Sequence, residues 1–449
     1  MTQPTGTLQA GTLDPTFADG GVLRFPIPEI SGFDTVAVLA LPENKLLVAI
    51  QLLGVEAPIA LARLNENGSL DIGFGGNGAG LVEVSLEGGY INDVRELIGL
   101  SDGGWLLLGQ YEKGSEGGRC LVRHDREGRL VESFGEKGVR LFPGGIAPRH
   151  AETGGGAFAR VDERSSTGAP RSSGRKGASA VQQDGKILLL GYMRNDSGEP
   201  KEIVLRLNSD GSTDYTFNGV GFAIVEPPGI SYEWNIAEVV TVQADGNVLV
   251  GGEFALENPY SRVAYVMRFD ASGRLDTSFN GGMVPVRHSN LIYVEAIEVR
   301  ETDGSIVTIG KALRDGVLHG LMFVLTRGGF FDFNFNRGQP LFSKLVPQGL
   351  GWKRIALQAE GSILVAGTTG RGFVEEGVSA LTARFHSDGS LDSTFNGNGF
   401  TVFDEGGKYE VVQDMAVMAD GRIVVCGLAW VDGDPWAYIG GGWVIRYLA

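Results

Sequence analysis

The stretch LDPTFADGGVLRF, residues 13–25, decides how this chain folds, because its first five residues return six times downstream. The later copies read LDIGF (70–74), LVESF (130–134), TDYTF (213–217), LDTSF (275–279), FDFNF (331–335) and LDSTF (391–395), each trailed by a Gly-rich turn and a short apolar run. Their terminal phenylalanines, Phe17, Phe74, Phe134, Phe217, Phe279, Phe335 and Phe395, lie 57, 60, 83, 62, 56 and 60 residues apart. A near-constant period of this length marks a repeat architecture, and repeats made of strands point to a propeller.

Each repeat has the same four parts. After the Phe come a turn and an apolar run, then a longer loop, then two strand-like runs joined at Asp102-Gly103, Asp184-Gly185, Asp245-Gly246, Asp303-Gly304 and Asp420-Gly421, with Glu43-Asn44 and Glu360-Gly361 as variants. Asp-Gly between β-rich runs such as AVQQDGKILLLG is a strong hairpin signal, since both central residues tolerate positive φ. A fourth apolar run (IALARLN, CLVRHD, IVLRLN, YVMRFD, MFVLTR, LTARFH, WVIRYL) leads into the next motif. Four antiparallel strands repeated seven times predict an all-β, seven-bladed β-propeller spanning residues 1–449 as one domain, with repeats starting near 13, 70, 130, 213, 275, 331 and 391. The chain finishes at WVIRYLA (443–449), where another motif would begin, so residues 12–26 are expected to complete the last blade and remove two open sheet edges.

Composition fits this reading. Gly supplies 70 of 449 residues, about twice the usual share, as suits a chain that reverses direction every ten residues or so. The formal charge of −16 argues against a nucleic-acid backbone or an anionic membrane as partner. No apolar run is long enough to insert in a membrane and no signal peptide is visible, so a soluble chain of open localisation is expected. Two cysteines, Cys120 and Cys426, sit in apolar strand-like runs and read as buried thiols.

The third repeat is longer than the others by an insertion. Residues 144–178 are rich in Gly, Ser, Pro and Arg and carry six cations against three carboxylates, a net +3 with almost nothing apolar to bury. A flexible loop is expected there.

The run LDSTFNGNG, the hairpin AVQQDGKILLLG and the strand IVLRLNSDG together resemble the bacterial delta-sixty repeat proteins, and the resemblance extends over essentially the whole chain. It implies a β-propeller and no catalytic residues. A secreted or surface-associated setting is also among its implications. Copies three and six depart from the pattern: Val131 replaces the motif Asp, and Val324 stands where the strand Arg is expected.

Polar residues recur with the period. An Arg lies eleven residues before the Phe in five copies (Arg63, Arg123, Arg206, Arg268, Arg384), with Arg446 in the corresponding place, and an Asp lies three before it in six (Asp14, Asp71, Asp214, Asp276, Asp332, Asp392). What recurs in every blade is expected to serve the blade, by capping the turn and pairing charge. Asn208, Asp210, Ser212 and Asp214 alternate as calcium ligands do, yet Gly219 occupies the twelfth position where a bidentate Glu is needed. Five histidines (His124, His150, His288, His319, His386) form no metal or catalytic motif, so no catalytic residue, metal or cofactor is expected.

Aromatic residues in loops are the stronger functional signal. Trp430, Trp436, Tyr438 and Trp443, with Asp432 and Asp434, fall within LAWVDGDPWAYIGGGW of the last repeat and form the first-choice ligand site. Phe33, Tyr90, Trp234, Tyr293, Trp352 and Tyr409 precede the hairpins of six repeats and suggest a broken ring around one face. Rigid aromatic surface suits a sugar or an anchored protein partner. The sequence therefore predicts a non-catalytic binding scaffold for a glycan or protein, with a hydrolase or lyase at the channel mouth as the alternative.

Overall fold

The computed structural model describes residues 9–54, 56–143, 178–195, 198–257, 260–287, 291–370, 377–433 and 437–449. They form seven four-stranded antiparallel sheets joined by turns and loops that include four three-residue 3-10 segments. Within each sheet the strands run in chain order, here a to d, except that the last sheet takes its d strand, Val22–Phe25, from the beginning of the chain. The seven a strands are Gly32–Ala40, Tyr90–Gly99, Ser179–Val181, Trp234–Val242, Ile292–Val299, Leu350–Leu357 and Tyr409–Val417. They touch one another in cyclic order, the last against the first, and so surround the axis of a closed seven-bladed propeller.

Closure follows the expected route. Val22 to Phe25 pair with Ile445 to Gly442 of the final strand, and residues 9–11 continue the seam: Gly11 N–H donates to Leu448 O and Asn396 N–H to Ala10 O, at 3.0 and 2.7 Å. Because the apolar run after each Phe forms strand d of the blade in front of it, sequence repeat and blade are offset by one strand. That offset puts the first motif at residues 13–17 on the last blade and knits first to last.

The hairpins are present, but their turns differ from the expected geometry. Gly103, Gly185, Gly246, Gly304 and Gly421 have φ between +71° and +87°, whereas the Asp before each keeps an ordinary negative φ. Asp102 Oδ1 instead accepts the N–H of Gly104 at 3.0 Å, and Asp184, Asp245, Asp303 and Asp420 accept the equivalent N–H. The Asp therefore works as an Asx turn that caps the hairpin, and only the Gly needs the left-handed region. The variant pair Glu43-Asn44, at φ +60° and +55°, has positive φ at both residues.

Antiparallel strands in the order a–b–c–d place the a–b turns and c–d links at one end of the barrel of blades, and the b–c hairpins and d–a links at the other. The first end carries the LDxxF motifs and is called the motif face; the second carries the loop aromatics and is called the aromatic face. The core lies between neighbouring blades in clusters such as Leu188, Val204, Val250, Tyr265 and Met267. Cys120 and Cys426 are both buried free thiols. Residues 144–177 of the expected flexible insertion lie outside the described residues, and Ala178 at its end is buried under blade 3. No helix among the described residues is long and apolar enough to cross a membrane.

Candidate functional site

On the motif face the repeated polar residues are consumed by the architecture. Arg446 Nε donates to Asp14 Oδ2 at 2.8 Å, and the Asp14 carboxylate also accepts the Thr16 N–H and hydroxyl. The same Arg–Asp–Thr or Ser unit recurs at Arg206–Asp214–Thr216, Arg268–Asp276–Ser278 and Arg384–Asp392–Thr394. In each the guanidinium lies over its motif Phe, 4.5–5.2 Å from the ring centre. Its free Nη1 then reaches across the seam, as Arg63 does to Arg126 O and Arg206 to Ala271 O, at 3.2 and 2.6 Å.

The Phe makes the second rivet. It lies under a glycine of the next blade, so that an added Cβ on Gly68, Gly128, Gly211, Gly273, Gly329, Gly389 or Gly11 would come within 2.9–3.0 Å of the ring of Phe17, Phe74, Phe134, Phe217, Phe279, Phe335 or Phe395 respectively. All seven glycines have φ between +79° and +89°, so both backbone and contact exclude a side chain. Seven such contacts in cyclic order make the ring.

The two departures from the pattern have visible consequences. With Val131 in place of the motif Asp, Arg123 turns to Asp102 at 2.7 Å and its Nε is buried without an acceptor. Where Val324 replaces Arg, the Asp332 carboxylate keeps, among the described residues, its turn hydrogen bond from Asn334 N–H. The alternation at Asn208 to Asp214 belongs to the same framework: Asp210 accepts from Ser212 and Asp214 from Arg206, leaving no set of free oxygens for calcium.

The aromatic face is organised differently. Six inner strands carry a β-bulge at one shared level, at Val36, Arg95, Glu238, Glu295, Lys353 and Gln413. Measured from it, Tyr90 is five residues ahead, Trp234 and Tyr409 four, Phe33 three, Tyr293 two and Trp352 one. Successive strand residues point to opposite faces. Trp234, Tyr409 and, because its strand has a second bulge between Ile91 and Asp93, Tyr90 stand at one level, each opposite the third residue past the bulge-level Gly. Phe33, Tyr293 and Trp352 do not, so the six do not form the one ring expected. Trp352 is 1 % exposed and packs edge-on against Phe385 in the core, where it fills a blade seam. The Phe33 side chain lies outside the described residues.

The last-blade cluster divides in the same way. Trp443 is 1 % exposed and packs 5.2 Å from the Phe403 ring, so it belongs to the core and presents no surface to a ligand. Trp430 stands opposite Tyr409 on the neighbouring strand, and Tyr409 OH donates to Asp432 Oδ1 at 2.9 Å. Tyr438 is 58 % exposed and pairs with Val431. Asp434 and Trp436 lie outside the described residues. The fold thus joins Tyr409, from the loop set, to Trp430 and Asp432 in one patch, while Tyr438, paired with Val431, stands on the opposite side of the strand from Trp430.

A second grouping joins Trp234 and Tyr293 through a residue the sequence pattern did not flag. Trp234, Ala255 and Arg262 stand opposite one another on strands a, b and c of blade 4. The small Ala255 leaves room for Arg262 to lie back over Trp234, with its guanidinium carbon 4.8 Å from the indole centre and 5.0 Å from the Tyr293 ring of blade 5. Lys311 is also 5.2 Å from Tyr293, tied to Glu295 at 2.8 Å. Arg262 has no period to announce it, because its partners come from two blades. Tyr90 bonds Glu112, and Tyr232 bonds Glu226, which also holds Lys201.

Three carboxyl groups near the entrance ends of inner strands are shifted upward. Burial raises Asp34 to about 6. It does the same to Asp93, opposed in part by Arg95 and Arg119. Glu410, fully buried, is raised to about 7 by burial, with Asp404 and Glu405 adding repulsion while the Glu405 N–H donates to its Oε1. His124 is buried against Trp105 and pushed down to about 4. His150 and His288 lie outside the described residues, and among those described no three His, Cys, Asp or Glu side chains converge as a metal site.

Solved structures with similar folds share little sequence. A polysaccharide lyase, Uly1, is 12% identical with a TM-score of 0.44, covering 98% of this chain and 97% of its own. A protein of unknown function from Dyadobacter fermentans is 13% identical with a TM-score of 0.42, covering 81% of this chain and 96% of its own. No curated protein matches the sequence. The "Domain of unknown function (DUF5122) beta-propeller" family matches residues 182–217, 243–279 and 358–395, each running from the Gln before a hairpin turn to the motif Phe. Three repeats of this chain match the DUF5122 beta-propeller family, the delta-60 repeat family.

Proposed function

We propose that the protein is a non-catalytic binding scaffold that recognises a glycan or protein partner through its aromatic face. One observation carries the reading. The recurring charged residues of the motif face are engaged within and between blades, whereas the other face presents groupings of aromatic and charged side chains that no blade repeats, Tyr409, Trp430 and Asp432 in one patch and Trp234, Arg262 and Tyr293 in another. Non-periodic residues on a periodic frame are free to serve a ligand, since the ring does not depend on them. Exposed aromatic side chains lose little conformational entropy when covered, which makes them efficient anchors.

The alternative, a hydrolase or lyase at the channel mouth, has Asp34 and Asp93 as its acid candidates, because burial brings both carboxyls to about 6. A glycan-array screen run beside a hydrolase and lyase substrate panel separates the two. Saturable binding without product supports the scaffold; turnover that is lost in Asp34→Asn or Asp93→Asn overturns it.

A further inference from the structure

We infer that the Trp234–Arg262–Tyr293 clasp is a carboxylate-binding subsite for an acidic glycan, an inference that rests on the scaffold reading and gives it a ligand class. Arg262 differs from several cations of this face. Lys201 is neutralised by Glu226 and Lys311 by Glu295, each at 2.8 Å, and Arg24 by Glu405 at 2.5 Å. Arg262 has no carboxylate or carbonyl partner among the described residues, and its Nε is buried without an acceptor.

Its surroundings specify what would complete it. Two aromatic rings about 5 Å away hold the guanidinium by cation–π attraction and limit its rotamers. The N–H donors of a guanidinium point outward in its own plane, a fork that matches the two oxygens of a carboxylate. Trp234 and Tyr293 are only half-buried, so each keeps ring area in solvent beside that fork. A uronic-acid residue offers both complements in one rigid unit: a carboxylate for Arg262, and a pyranose face of C–H groups for an aromatic ring. An acidic peptide offers the first and lacks the second.

The test uses the full chain and isothermal titration with oligogalacturonate, oligoalginate and oligosialic acid. Methyl-esterified forms serve as controls with the same rings and no charge, and oligoglutamate as an acidic peptide. The expected result is binding of at least one acidic oligosaccharide, weakened tenfold or more by esterification and equally by Arg262→Lys, which keeps the charge and loses the fork. Thermal melting of the Arg262→Lys protein should match the parent, and Trp234→Ala should weaken the same ligand. Binding of an ester as tight as that of its acid, or an Arg262→Lys variant with parental affinity, overturns the carboxylate assignment while leaving the scaffold reading standing. Arg262-dependent binding of oligoglutamate alone overturns the glycan assignment, and binding of none of these probes overturns the subsite altogether. Cleavage of a bound oligosaccharide overturns the scaffold reading instead.

Discussion

The motif face and the aromatic face are built from the same seven blades yet obey opposite rules. On the motif face one module is copied around the ring, and its members bond each other: Arg446 is fully buried over Phe17 and held to Asp14, which is 2 % exposed. On the aromatic face blades differ at matching positions. Opposite Trp234 in blade 4 stands Ala255, and opposite Tyr409 in blade 7 stands Trp430. Periodicity therefore reports assembly, while departures from it report whatever the assembly is used for.

The comparison breaks most severely at the closure. Deleting residues 1–26 removes strand d of the last blade, Asp14 and Phe17 together, and opens a sheet edge at Tyr438–Tyr447. The truncated chain is expected to lose its cooperative melt and its near-ultraviolet dichroism. A truncated ring that melts like the parent would show that the seam is dispensable.

Single substitutions on the two faces should differ by a few kcal/mol. Phe217→Ala empties the space under Gly273, and a buried Phe truncated in this way costs about 3–5 kcal/mol. Arg446→Met removes the closer of Asp14's two cation partners and leaves Arg422 at 3.3 Å, so it should cost less than Phe217→Ala, about 2–3 kcal/mol. Tyr438→Ala on the other face, at an exposed position, is expected to stay within about 0.5 kcal/mol of the parent. Urea unfolding of the three variants checks the ranking.

The faces should also titrate in opposite directions. On the motif face Asp214 is held near 2, because hydrogen bonds from Thr216 and Lys186 and the charge of Arg206 outweigh its burial; its contribution is present above the ordinary carboxylate range and lost as pH falls. Asp34, Asp93 and Glu410 are raised to about 6, 6 and 7, so the folded state binds more protons than the unfolded one; their contribution is present below about pH 4 and lost as pH rises through 6 to 7. Stability is expected to peak on the acid side of neutrality and to decline toward pH 8 by an amount on the order of 2 kcal/mol. Glu410→Gln should flatten the decline toward pH 8 and leave the acid limb unchanged, whereas Asp214→Asn should do the reverse. Urea midpoints from pH 3.5 to 8 measure both limbs.

A small effect also belongs to the Tyr409–Asp432 hydrogen bond at 2.9 Å on the exposed patch. Tyr409→Phe should shift stability by no more than about 0.5–1 kcal/mol, the net worth of a solvent-accessible hydrogen bond. A larger loss would mean that the last-blade patch is part of the frame.

Fold was legible in the sequence because a propeller writes its contacts at a fixed distance along the chain. The LDxxF period gave seven blades, the tail without a following motif gave the closure, and the recurring Arg and Asp gave their pairing. Turn type was not legible, since Asp-Gly suits two hairpin geometries and only the backbone shows that Asp102 caps Gly104 with its side chain while Gly103 alone goes left-handed. Loop aromatics were found as residues but not as neighbours. A bulge shifts facing by one residue, so Tyr293 reaches the aromatic face while Trp352, one register step closer to the bulge, is buried. Trp443 went to the core for a similar reason, as an inward position on a strand beside an outward Tyr438. Arg262 became visible only in three dimensions, because its two rings come from blades 4 and 5 and the gap that admits it is made by an alanine. Sequence by itself determined the frame, whose contacts repeat and so leave a period; tertiary structure alone decided the candidate site, whose contacts occur once, between residues that share no spacing.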